Sequence, residues 1–244
     1  MKFEHTEVFN FEGAFRGMRN PLASWHKSDS NFNKNDYCMS SDPEGNCTDC
    51  EYFQGFGFPC FKIGENDMNL AQRLIAGGTE HRKFLRQIMV SVDITAPLYW
   101  WKEFDTYKVG TTANSTSTMH KLASTPITKE CFEMDDYKAD LVYYSINHQN
   151  TPVDYTVNYM VENIIDYLEQ LRQKYNETKD KRYWKELIRW LPNGWLQTRT
   201  VTMNYENIRS MYHQREHHKL VEWHAFCDWV KGLPYAEEFL ISKI

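Results

Sequence analysis

The sequence predicts an α+β fold in a single domain, residues 1–244, and three observations carry that reading. Val90-Ser91-Val92-Asp93-Ile94-Thr95 alternates apolar and polar residues at period two, as a strand with one buried face requires. Val161, Ile164, Ile165, Leu168 and Leu171 recur at helical spacing within a stretch from about Tyr155 to Lys174. With 244 residues, 41% of them hydrophobic and 15% aromatic, the chain has material for one large core.

The remaining elements follow in chain order. Phe3 to Phe11 alternates well enough for an edge strand, and Arg16-Gly17-Met18-Arg19-Asn20-Pro21 then breaks the pattern. Residues 38–60 form a polar, Cys-rich run, expected to be an irregular insertion within the domain. A helix opens near Asn66-Asp67, carries Leu70, Leu74 and Ile75 on one face, and stops at Gly77-Gly78. Pro97 suits the first turn of another helix, continued by Leu98 to Phe104 and loosened by Gly110. Beyond Leu191-Pro192-Asn193-Gly194, Trp195 to Met203 mixes β-branched and polar residues as a strand does. A helix starts at Asn204, and a last one carries Leu220, Trp223, Cys227 and Val230 to a stop at Gly232-Leu233-Pro234. There is no internal repeat.

Charge and composition exclude some functions. The 28 Lys+Arg and 33 Asp+Glu leave a formal net charge of -5, without the broad basic field of a duplex nucleic-acid binder. An anionic ligand must therefore meet local arginines. No stretch approaches the roughly 20 apolar residues of a membrane span, and MKFEHTEVFNF is not a basic-then-apolar leader, so a cytoplasmic protein is expected.

Several clusters admit two readings. Cys47-Thr-Asp-Cys50 has structural-zinc spacing, and Cys38 and Cys60 could complete a tetrahedral site; four reduced cysteines in a loop is the alternative. His213, His217, His218 and His224 lie near one another, with His218 and Glu222 four apart, yet a polar helix face explains them as well as a metal does. Adjacent Trp100 and Trp101 suit packing better than a stacking platform. The run Asn114-Ser115-Thr116-Ser117-Thr118 is either a turn or a ligand-facing segment.

In order along the chain, these segments resemble the flavin-dependent thymidylate synthases. Leu74-Ile75-Ala76-Gly77-Gly78-Thr79-Glu80-His81 sits where that family has its Gly-His-Glu-Ser/Thr turn, before a strand and an Ala96-Pro97 helix start. Arg189-Trp190-Leu191-Pro192 is similar to its Arg-x-x-Leu-Pro turn, Met203-Asn204 to its Leu-Asn, and Arg215 to His224 to its final helix. The family's Arg-His-Arg motif is substituted. It reads Thr106-Tyr107-Lys108, followed by Thr111, Ala113, Thr116 and Thr118, so that only Lys108 keeps a positive charge in the triad. Thr118 stands in place of an arginine, and so does Glu206.

The resemblance implies a mainly antiparallel sheet packed against long helices, and a homotetramer with sites between subunits. It implies FAD as cofactor, NADPH and methylenetetrahydrofolate as co-substrates, and conversion of dUMP, a pyrimidine nucleotide, to dTMP. Catalytic roles fall to Thr116 and Arg215, and substrate contacts to Arg189, Arg215, Thr116, Thr118 and Glu103. Cofactor contacts fall to His81, Thr106, Tyr107, Lys108, Asn204 and Ser210. Arg189 and Arg215 are then expected to converge on one anion-receiving cleft, although an arginine on a helix surface is more often a solvated charge. A relative acting on another pyrimidine nucleotide, or a non-catalytic nucleotide- or flavin-binding protein, is the alternative reading.

Overall fold

A computed structural model describes residues 1–32 and 60–243. Cys38, Cys47 and Cys50, and with them the expected insertion and its zinc site, lie outside the described residues. Cys60 is half-buried, and among the described residues no group of three or more His, Cys, Asp or Glu could hold a metal ion.

The architecture is α+β, as the sequence predicts. Its elements are β1 (Lys2–Phe9), α1 (Phe11–Met18), α2 (Glu65–Ala76), β2 (Met89–Pro97), α3 (Leu98–Phe104), β3 (Thr112–Ser115) and α4 (Thr118–Lys121). Then come β4 (Val142–His148), β5 (Thr151–Thr156), α5 (Val157–Thr178), α6 (Lys181–Arg189), β6 (Leu196–Asn204), α7 (Tyr205–Arg215) and α8 (Val221–Lys231). The chain divides into two compact units, one of Met1–Ile94, Glu103–Asn114 and Arg199–Ile244, the other of Thr95–Lys102 and Ser115–Thr198.

The four-stranded sheet has the order β1-β2-β6-β3, which puts β1 at an edge as its pattern predicts. In β2, Val90, Val92, Ile94 and Ala96 are buried and alternate with partly exposed residues. α1 follows the edge strand and buries Phe11, Ala14, Phe15 and Met18, a helix that the alternating reading of Phe3 to Phe11 overlooked.

α2 begins and ends where expected, but of the expected Leu70, Leu74 and Ile75 face only Ile75 is buried, together with Ala71 and Asp67. The reason is a buried ion pair. Arg19 Nε donates to Asp67 Oδ1 at 2.6 Å, while the Ser28 and Ser30 hydroxyls donate to Asp67 Oδ2, each at 2.6 Å. Burial raises the Asp67 pKa, but the two serines and Arg19 outweigh it and hold the carboxyl below its ordinary value. Asp29 caps the same helix, accepting from the Asn66 and Asp67 amides at 2.8 and 3.1 Å. Its carboxylate comes so close to Gly64 that any Cβ there would collide with it. Asn31 and Lys62 exchange two backbone hydrogen bonds, 2.8 and 2.9 Å, and the Phe32 and Phe61 rings stack with centroids 5.7 Å apart. The two ends that flank residues 33–59 are thus tied together.

In the second unit the helical stripe of α5 is core. Ile165 and Leu168 are buried with Leu122, Ile127, Phe132 and Leu187, and Val161, Ile164 and Leu171 pack on them. Thr156 caps α5 and Asp180 caps α6. Glu169 accepts from Arg172 Nη2 at 2.6 Å and from the Ile127 amide at 2.8 Å. Arg172 chiefly, against some burial, lowers the Glu169 pKa to about 2. β4 and β5 form an antiparallel hairpin in which His148 pairs with Thr151 and the turn residues Gln149 and Asn150 both have positive φ. Trp100 and Trp101 are buried, as packing residues should be, with their rings edge to face at 4.9 Å.

Candidate functional site

Arg215, at the C-terminal end of α7, is the centre of a tight network in the first unit. Its Nε donates to the Tyr107 hydroxyl at 2.8 Å, and its Nη1 lies 3.0 Å from Glu103 Oε2. Its guanidinium carbon lies 4.7 Å from the Trp223 ring centroid and 5.5 Å from that of Tyr107, within cation–π range. Tyr107 in turn donates its hydroxyl hydrogen bond to Gln214 Oε1 at 3.2 Å, and Gln214 Nε2 donates to Ser210 Oγ at 2.9 Å. Every bond in this chain runs the same way, from Arg215 through Tyr107 and Gln214 to Ser210. Among the described residues the Nη2 of Arg215 makes no hydrogen bond.

Glu103 is the second node. Its Oε2 also accepts the Trp223 indole N–H at 2.9 Å and faces His218 Nε2 at 3.4 Å. Because the Leu220 amide donates to His218 Nδ1 at 3.2 Å, a neutral His218 carries its proton on Nε2, toward the carboxylate. His218 therefore turns to Glu103, and Glu222 is buried. His213 is also buried in part. Burial first, and the charge of Arg209 second, pull its pKa down and favour the neutral ring.

Asn204 caps α7, its Oδ1 accepting from the Asn207 amide at 3.0 Å. The turn after α3 lies against that cap. Asn207 Nδ2 donates to the Val109 carbonyl at 2.6 Å, and Gly110, at φ +76, comes so near that a Cβ would sit 2.9 Å from both Asn204 Nδ2 and Asn207 Oδ1. Lys108 and Gly110 are exposed in this turn, whereas the Thr111 hydroxyl and Asn207 Oδ1 are buried without a hydrogen-bond partner. The Thr106 hydroxyl is taken by the Glu103 carbonyl at 2.7 Å.

Glu206, in the first turn of α7, has a cation of its own. Arg82 Nε lies 3.0 and 2.9 Å from its two carboxylate oxygens. Arg82 follows His81, which is exposed in the turn after α2 with its ring against Gly77. Arg209, one turn on, is buried and donates to the Phe239 and Ser242 carbonyls at 3.1 and 2.8 Å.

The other candidates belong to the second unit. Arg189 is exposed and ion-paired with Glu186 one turn earlier, and Glu186 also accepts from the Trp190 indole at 3.1 Å. Thr116 is exposed; its amide donates to the Thr198 carbonyl at 2.9 Å and its carbonyl accepts from Gln197 Nε2 at 2.8 Å. Ser117 caps α4, of which Thr118 is the first residue. The polar run is in part a cap and in part the end of β3.

No protein-family model matches the chain, and no curated protein sequence does. Solved structures do match. One is the flavin-dependent thymidylate synthase ThyX from Helicobacter pylori complexed with FAD and dUMP, with a TM-score of 0.60 over 99% of this chain and 98% of that one, at 14% identity. Another is Helicobacter pylori thymidylate synthase X with FAD and dUMP, at the same TM-score and coverage and 15% identity. The chain has the thymidylate synthase X fold. At such identities the likeness is one of backbone, and side-chain roles must be argued from the residues themselves.

Of the residues singled out in the sequence, the structure joins Glu103, Tyr107, Ser210 and Arg215 in one network, and sets Lys108 and Asn204 at the neighbouring start of α7. Sequence reading missed Trp223, His218 and Gln214 as partners of that network, and Arg82 as the partner of Glu206. Nothing in the sequence pairs Arg82 with a residue 124 positions away. The Arg215 to Trp223 spacing alone could have suggested stacking.

Proposed function

We propose that the chain is a flavin-dependent thymidylate synthase-like methyltransferase, converting dUMP to dTMP with methylenetetrahydrofolate, FAD and NADPH. The full-length likeness to two solved structures of Helicobacter pylori thymidylate synthase X with FAD and dUMP carries this reading. The residues present fit a flavin. Lys108 offers an exposed cation beside the α7 N-terminus. Bound there, FAD supplies hydride chemistry. The chain's own part is positioning: Arg215, fixed by Tyr107 and Glu103, turns its Nη2 edge to the substrate, and Asn204 holds the start of α7 in place.

Arg189, Thr116 and Thr118 enter the same reading as substrate contacts. His81, Thr106, Tyr107 and Ser210 enter as cofactor contacts, a homotetramer as the working form, and the cytoplasm as its place. A structural zinc on Cys38, Cys47, Cys50 and Cys60 is a separate proposal, checked by metal analysis of the purified protein. The carboxylates beside Arg215, Arg82 and Arg189 favour a second reading, a relative acting on another pyrimidine nucleotide.

Purified protein with flavin absorption in the visible, or reconstituted with FAD, should form dTMP from dUMP, methylenetetrahydrofolate and NADPH. Flavin-loaded protein that turns over another pyrimidine nucleotide but not dUMP would shift the assignment to the second reading. A protein that takes up no FAD would end both.

A further inference from the structure

The charges around Arg215 do not add up to an anion receptor. Glu103 lies 3.0 Å from its Nη1 and cannot turn aside freely, because the same oxygen holds the Trp223 indole and faces His218. Arg82 is likewise matched by Glu206, and Arg199 Nη1 donates to Asp105 at 2.7 Å. Lys108, in the same unit, has no ion pair among the described residues.

A guanidinium with a carboxylate against it still donates hydrogen bonds, but it projects little net field. A phosphate dianion brought to Arg215 meets Glu103 as well, and like charges in a part-buried place repel. An uncharged acceptor, such as a ring carbonyl, meets the Nη2 hydrogens without that repulsion.

Resting on the reading of this site as a pyrimidine site, we infer that Glu103 is a specificity-determining residue. It makes the Arg215 seat indifferent to the ligand's phosphate, so that an unphosphorylated pyrimidine deoxynucleoside binds on equal terms with its monophosphate. The substrate class of the site is then the pyrimidine deoxynucleoside, phosphorylated or not.

Isothermal titration of the purified protein with deoxyuridine and with dUMP, at low and raised salt, tests this. The two dissociation constants should agree within about threefold and respond little to salt. Glu103→Gln keeps an oxygen for Trp223 and removes the charge; it should move the ratio at least about tenfold toward dUMP and make that affinity fall with salt. Native protein that binds dUMP more than about tenfold tighter than deoxyuridine overturns the inference. So does a folded Glu103→Gln variant with the native ratio. Should that variant not fold, the native salt series decides alone. If neither ligand binds, the pyrimidine reading itself fails, and the inference with it.

Discussion

Glu206 engages Arg82 Nε through both carboxylate oxygens, at 3.0 and 2.9 Å, and so ties the turn after α2 to the first turn of α7. Both side chains are mostly buried, at 22% and 14% exposure. Removing one partner leaves a poorly solvated charge. Glu206→Gln should therefore lower stability by about 2 kcal/mol, and adding Arg82→Met should restore part of it. Urea denaturation of the two single variants and the double variant measures the coupling, which should be about 1 kcal/mol or more.

Glu169 predicts acid behaviour. Its folded pKa, about 2, lies below its ordinary value of 4.5, so the stabilisation is fully present above the ordinary value and is lost as pH falls toward the folded one. Glu169→Gln should cost on the order of 2 kcal/mol at pH 7, and the gap from the native protein should close between roughly pH 5 and pH 2. Thermal melts across that range check it. A gap that does not narrow would remove the carboxylate from the account.

Gly110 is required by its backbone and by its neighbours. At φ +76, with Asn204 and Asn207 2.9 Å from a would-be Cβ, Gly110→Ala should cost about 1–2 kcal/mol and displace the Lys108 turn. The readouts are melting temperature and FAD affinity, and both should fall.

Asn31 and Lys62 face each other across two backbone hydrogen bonds. Replacing residues 33–59 with a short Gly-Ser turn should leave the rest of the chain folded, with a melting temperature within a few degrees of native. Loss of the cooperative melt would mean that the excised stretch contributes to the core.

Much of the fold is legible in the sequence, because β2, α5, β6 and α8 bury one face with regular period. α1 was hidden by an aromatic-rich run that also fits a strand, and the β4–β5 hairpin by a Gln149-Asn150 turn that lacks the usual glycine. The buried face of α2 was misread because it opens on Asp67, whose burial depends on Arg19, 48 positions earlier. The site was legible in part for the same reason. Tyr107, Glu103 and Arg215 could be singled out one by one, but which carboxylate neutralises which arginine is set by tertiary contacts that no local pattern encodes.

The one-way run of hydrogen bonds from Arg215 to Ser210 has a consequence for recognition. A long, flexible side chain that must be immobilised when a ligand arrives weakens binding by about 1 kcal/mol. Arg215 is already immobilised by Tyr107 and Glu103, with Gln214 holding Tyr107, so the ordering penalty was met when the chain folded. Whatever docks against its remaining edge finds a rigid template, and the selectivity of that edge comes from shape before adaptation.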